Sequence, residues 1–218
     1  MPKRPASPPA ADSAARARLL DAAERLLGEA GLEGASLRQI SAAAGHANNS
    51  AVQYHFGDKA GLIRAVIARR VEAFEPRRRD MLAALQRDGR DTDIGALLQI
   101  LFVPIGEVTD SKGRHVYARF LLQFLNQIRY QAGLDHPGWA ADSAAMRSVE
   151  LMAKALPQLG IKRVGTRINR ISGLFLSALI ERENAAVRGK HRQAEAGFRE
   201  ELFAMMAAAL SAPPGTRG

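Results

Sequence analysis

The sequence contains no cysteine. That excludes a disulfide scaffold, a thiol nucleophile and a cysteine-ligated zinc. It has no apolar run of about twenty residues, so nothing in it reads as a membrane span. Catalytic signatures are missing too: no G-x-S-x-G, G-x-x-x-x-G-K-[ST] or H-E-x-x-H occurs. The histidines, His46, His55, His115, His136 and His191, are scattered without metal-ligand spacing. Asp91 and Asp93 fall in an expected turn, where capping accounts for them better than acid–base work. Asn48-Asn49-Ser50 has the form of a glycosylation acceptor, which carries no weight without a secretion signal. The opening residues, MPKRPASPPAADS, lack the apolar core of such a signal. The expectations are a non-enzyme without metal or cofactor, away from the membrane, in the cytoplasm. Alternating strand patterns and internal repeats are also absent, which points to an all-α chain.

What is present is positive charge and helical periodicity. The 218 residues are 47% hydrophobic and carry a formal net charge of +9. The length suits one small and one medium domain. The charge favours polyanionic partners. Its spread along the chain weakens that inference, since Arg163, Arg167 and Arg170 lie far from the most informative stretch.

That stretch is Ser36 to Lys59, SLRQISAAAGHANNSAVQYHFGDK. Ser36 and Gln39 have the spacing of a capping box. Leu37, Ile40 and Ala43/Ala44 then give a short helix one apolar face. Gly45 suits a helix end, and Asn48 or Asn49 offers the next N-cap. In the second helix Val52 and Phe56 can turn inward together. Ser50 and Tyr54 then face out, with Asn49, Gln53 and His55 on the flanks. Gly57 ends this helix and Asp58 caps a third. The arrangement is a helix-turn-helix, whose second helix enters the major groove in DNA-binding versions. Asn and Gln can bond adenine edges, and Ser and Tyr hydroxyls can reach bases or phosphates. Spacing alone leaves a solvated helical hairpin equally open.

Tyr54-His55-Phe56-Gly57-Asp58-Lys59 followed by Gly61-Leu62, with Gln39-Ile40-Ser41 and Ala43-Ala44-Gly45 upstream, resembles the DNA-binding domain of TetR-type transcriptional regulators. The resemblance covers residues 14 to 70 or so. It implies an N-terminal three-helix helix-turn-helix domain and a C-terminal helical ligand-binding and dimerisation domain. It also implies an operator in double-stranded DNA, a homodimer and a small-molecule effector. Two departures bear on the register of base contacts. The turn between Gly45 and Phe56 is one residue longer than the family's usual pattern, and Gln53 stands where the family often has an aromatic. The DNA-contact set on this reading is Arg38, Asn48, Asn49, Ser50, Gln53, Tyr54, His55 and Lys59.

The expected division is a disordered basic tail over 1–11, the DNA-binding domain over 12–58, the second domain over 59–211 and a frayed tail over 212–218. A first helix capped by Asp12 or Ser13 carries Leu19/Leu20, Ala23 and Leu26/Leu27 on one face and stops at Gly31. A long helix follows Asp58, with Pro76 expected to kink or break it and the chain expected to continue helically through Arg77 to Gln86, ending near Gly89. Its Arg77-Arg78-Arg79 run reads as a solvated charge cluster. Further helices are expected over 94–108, 114–130, 144–156, 163–188 and 191–210.

Following the resemblance, an effector site is placed at Phe102, Tyr117, Phe120, Phe124, Gln127, Trp139 and Phe175. Each of these residues also fits an ordinary helical core. A dimer interface is placed on the apolar faces of the last two helices, at Ile171, Phe175, Ala178, Phe198, Leu202 and Met206. The implied function is a sequence-specific repressor released by its ligand. An activator of the same fold, a small-molecule enzyme domain fused to a DNA-binding domain, and a nonspecific architectural DNA binder remain the rivals.

Overall fold

The computed structural model describes residues 10–128, 141–188 and 194–214. Among them are nine α-helices and no strand: α1 (Ala10–Ala30), α2 (Leu37–Ala43), α3 (Ser50–Phe56), α4 (Lys59–Arg87), α5 (Ile94–Gly106), α6 (Val116–Ile128), α7 (Ala144–Ala155), α8 (Gly160–Val187) and α9 (Glu195–Ser211). The protein is all-α, with an N-terminal helix-turn-helix unit and a C-terminal helical domain.

Local chemistry sets the helix ends. The Ser36 N–H donates to Gln39 Oε1 at 2.8 Å, and the Gln39 N–H donates to Ser36 Oγ at 3.2 Å. This reciprocal box starts α2. Asp58 caps α4 by accepting from the Gly61 N–H at 2.6 Å. Asp93 caps α5 through the Ala96 N–H at 3.0 Å, so its role is structural. Gly57 closes α3 at φ 75° and ψ −61°, a conformation that residues with a Cβ rarely enter. α1 begins at Ala10, which puts Asp12 inside its first turn rather than at its cap.

The first core forms where α1 meets α2, α3 and the start of α4. Leu19, Ala23, Leu27, Ile40, Val52, Leu62 and Val66 are all fully buried there. α4 is common to both halves of the molecule. Its first turns pack against α1 and α3, and its later turns, with Phe74, Leu82 and Leu85 buried, pack against α5 and α7.

α4 runs through Pro76 to Arg87, so the expected helical continuation is found and the helix does not break at the proline. The ring fixes φ near the helical value and removes one N–H, a loss of about 3 kcal/mol in a helix interior. Burial of α4 on both sides of the proline offsets that loss, because tertiary packing carries most helical stability. α5 likewise continues past Pro104 to Gly106. The arginine run also divides. Arg77 and Arg79 are exposed, but Arg78 is only 6% exposed and points into the second core.

The two halves meet through α1 and α6, which lie backbone against backbone. A Cβ at Gly28 would stand 3.0 Å from the Phe120 amide nitrogen and 3.2 Å from the Val116 carbonyl oxygen. A second link is ionic. Buried Glu24 on α1 accepts from Arg70 at 2.6 and 2.8 Å and from Arg69 at 3.1 Å, both on α4. Hydrogen bonds from two guanidiniums are what let a carboxylate sit this deep.

Candidate functional site

α2 and α3 are joined by a turn over 44–49. The Arg18 Nε–H, from α1, donates to the Ala44 carbonyl at 3.3 Å and so closes the C-terminal end of α2. Asn48 does the capping at α3: its Oδ1 accepts from the Ser50 N–H at 3.0 Å and from the Ser50 hydroxyl. Asn49 occupies the cap position without a side-chain cap bond, and its Oδ1 is buried with no partner.

Val52 is fully buried beneath α3 and Phe56 packs against the same core. That fixes which residues look outward. Ser50, Gln53 and Tyr54 are exposed, and Tyr54 is 78% exposed, a rare state for a large aromatic ring. Arg38 on α2 is exposed and Lys59, at the head of α4, is half-buried.

His55, expected on the flank of α3, turns toward α1. Its side chain is 7% exposed and its Nε2 lies 3.5 Å from the Asp12 carboxylate. The Arg16 guanidinium sits 5.3 Å from the centre of the Phe56 ring. α1 thus braces α3 through Asp12 and Arg16, and His55 belongs to that brace. Sequence reading missed Arg16 and Arg18, since nothing local marks an α1 arginine as facing a helix some thirty residues away.

The second feature is a cavity within the C-terminal bundle, with about 690 Å³ of empty space that is partly open to solvent. That space includes open solvent, and about 80 Å³ of it admits the centre of a water-sized molecule. Val71, Phe74 and Arg78 of α4 form one wall and Phe102 of α5 another. Tyr117 and Leu121 of α6 and Val149 of α7 line it as well. α8 contributes Asn169 and Ser172, its polar groups. Arg78 donates from Nη2 to the Leu101 carbonyl at 2.9 Å and lies 5.3 Å from the Phe74 ring centre. Its position in the bundle pulls its pKa down by desolvation, partly countered by Tyr117 and Glu75. Burial raises the Tyr117 phenol's pKa, so it is a neutral hydroxyl at physiological pH.

Of the residues expected at an effector site, Phe102 and Tyr117 line this cavity. Phe175 stacks behind Phe102, their ring centres 5.1 Å apart. Phe120 and Phe124 are buried but do not line it. Gln127 is committed elsewhere, donating to Glu33 Oε1 at 2.9 Å. Trp139 lies outside the described residues. Among the described residues no group of three or more His, Asp or Glu side chains is placed to hold a metal ion. No described helix is long and apolar enough to cross a membrane.

Residues 19–66 match the family model for bacterial regulatory proteins of the tetR family. The N-terminal domain is that of a TetR-family transcriptional regulator. Two solved structures resemble the whole chain at low identity. One is a TetR-family transcriptional regulator from Mesorhizobium loti, 16% identical, aligned over 92% of this chain and 96% of that one with a TM-score of 0.48. The other is the multidrug binding protein EbrR in complex with imidazole, 19% identical over 93% of this chain and 98% of that one, TM-score 0.42. No curated protein matches.

Proposed function

We propose that this TetR-family protein is a dimeric, sequence-specific repressor released from its operator by a small molecule. The observation that carries the reading is the outward face of α3. Ser50, Gln53 and Tyr54 project from a helix rigidly seated on Val52 and braced by α1. Gln53 suits a base edge, Ser50 and Tyr54 suit a base or a phosphate, and Lys59 and Arg38 supply charge on either side. Asn48 shapes the head of α3 and His55 holds its position, so these two serve DNA binding indirectly.

One reading helix makes few base contacts, and pairing of half-sites is the usual remedy. Ile171, Phe175, Leu202 and Met206 are buried within the protomer. The free apolar surface of the last two helices lies on their other sides. On α9 it is Ala204, Met205, Ala208 and Ala209, all exposed, and on α8 it is Leu174 with half-buried Ala178. Small residues there let two copies of α9 approach closely, and this is the face we assign to the dimer.

Release follows from differential binding. A ligand in the cavity that favours a dimer with its two α3 helices wrongly spaced shifts the population away from DNA. A physical route exists for the coupling. The Arg70 guanidinium lies 5.5 Å from the ring centre of the cavity residue Tyr117, and Arg70 is clamped by Glu24 of α1. The deciding experiment is selection of bound sites from a random duplex pool, followed by a reporter driven from the selected site. A two-fold-symmetric consensus and a reporter that falls when the protein is supplied support a repressor. A reporter that rises makes it an activator, and enrichment without a consensus makes it an architectural binder.

A further inference from the structure

A buried positive charge in a mostly apolar hole demands a partner. Arg78 is 6% exposed, yet it lines the cavity between α4, α5, α6 and α8. A guanidinium has five N–H donors and stays protonated in proteins. Here Nη2 donates to the Leu101 carbonyl, while the buried Nε–H has no partner. The Leu101 carbonyl holds one arm of the guanidinium and leaves the Nε–H for something else.

No carboxylate of the described residues reaches Arg78. Glu75 is the acidic group whose field acts on it. Yet Glu75 Oε1 accepts from the Ala144 N–H at 2.7 Å and lies 3.6 Å from Arg79, and Glu75 does not line the cavity. The other ionisable group along the wall, Tyr117, is a neutral hydroxyl able to donate. Ser172, whose own hydroxyl proton goes to the Ile168 carbonyl at 2.7 Å, and exposed Asn169 complete the polar lining. The remaining walls are Val, Leu, Ile, Phe and Ala side chains.

We infer that the cavity's ligand is a small monocarboxylate with an apolar, aromatic or branched body, its carboxylate seated on Arg78. The inference rests on the effector-cavity reading above and gives that site its chemical class. Two carboxylate oxygens match the planar fork of a guanidinium, which a neutral or cationic ligand cannot do. The apolar body fills the volume against Phe102, Leu121 and Val149. A cation would meet an unscreened like charge in a low-dielectric site and be repelled.

The test uses the full-length protein in calorimetric titrations with benzoate, phenylacetate and octanoate, against the amides of the same skeletons and benzylamine. The expected result is binding of at least one carboxylate about ten-fold or more tighter than its amide. That ratio should fall to near one in Arg78→Met and be kept only in part in Arg78→Lys, which retains the charge but not the planar fork. The wild-type comparison decides even if Arg78→Met does not fold. Equal or better binding of the amides or of benzylamine overturns the inference and leaves the effector cavity standing. An unchanged carboxylate preference in a folded Arg78→Met removes Arg78 from the role. If no compound of any charge binds while DNA binding is intact, the effector-cavity reading fails, and the inference with it.

Discussion

At the scale of single residues, environment separates side chains that the sequence lists side by side. Arg77, Arg78 and Arg79 are one charge run on paper, but one full turn of α4 holds them at different angles, and only Arg78 meets the bundle. Helical period does place Arg78 on the face of Phe74, Leu82 and Leu85, but its charge argued for solvent, and the carbonyl that holds it lies on α5, more than twenty residues away. His55 is similar. Helical spacing puts it on the flank of α3, and the carboxylate of Asp12 draws it inward from forty-three positions earlier in the chain. Lys59 was legible, since its place at the head of α4 depends only on Gly57 and Asp58 beside it. On the proposed reading its charge meets a phosphate rather than a base. Lys59→Ala should therefore weaken binding to all duplexes alike and lower the slope of log K against log salt by about one. Titrations at several salt concentrations check this, and an unchanged slope removes Lys59 from the phosphate contacts.

At the scale of elements, the helices were readable because their ends are written in short-range chemistry. The Ser36–Gln39 box and the stops at Gly31, Gly45 and Gly57, whose φ values are 80°, 82° and 75°, need only neighbours. Pro76 was the harder case: it opposes helix locally, and packing of α4 on both sides prevails, whereas the helix expected through Pro104 is found. Asp93 offers a test of the capping account. The Ala96 N–H, with help from Arg90, holds its carboxyl below the usual aspartate range. A lowered folded-state pKa means stability that is present above the unfolded value, near pH 4, and lost as pH falls through the folded one. Asp93→Ala should cost about 1 kcal/mol near neutrality, measured by denaturant unfolding, with the gap from wild type narrowing below about pH 4. A gap that stays constant down to pH 2.5 or so would show that the carboxylate's charge contributes nothing.

At the scale of the whole molecule, the harder question was which face of a helix meets which neighbour. Beyond Glu201 α9 is apolar nearly all round, and the sequence pointed to the face of Phe198, Leu202 and Met206 for the interface. The larger side chains, Phe198, Leu202 and Met206, serve the protomer's own core, because they bury the most area against α5 and α8. The small ones, Ala204, Ala208 and Ala209, are left outside with Met205. The two faces should respond differently to a charge. Leu202→Glu is expected to lower the melting temperature steeply, since it buries a carboxylate without a partner. Ala208→Glu should leave the fold intact and yield monomers that no longer hold the selected operator. Light scattering and thermal melts on the pair check this, and a dimeric Ala208→Glu would move the interface off α9.

The central claim is that α3 reads sequence, and Gln53 carries the most direct test of it. Gln53 is exposed on a helix whose opposite side is locked by Val52, so replacing it leaves the scaffold alone. Gln53→Ala should lose about 1–3 kcal/mol on the selected operator and little on a scrambled duplex of the same length. The measurement is a paired titration of wild type and variant against both duplexes at one salt concentration. A loss confined to the operator is the predicted result. An equal loss on both duplexes, or none on either, would contradict the assignment of base reading to this face of α3.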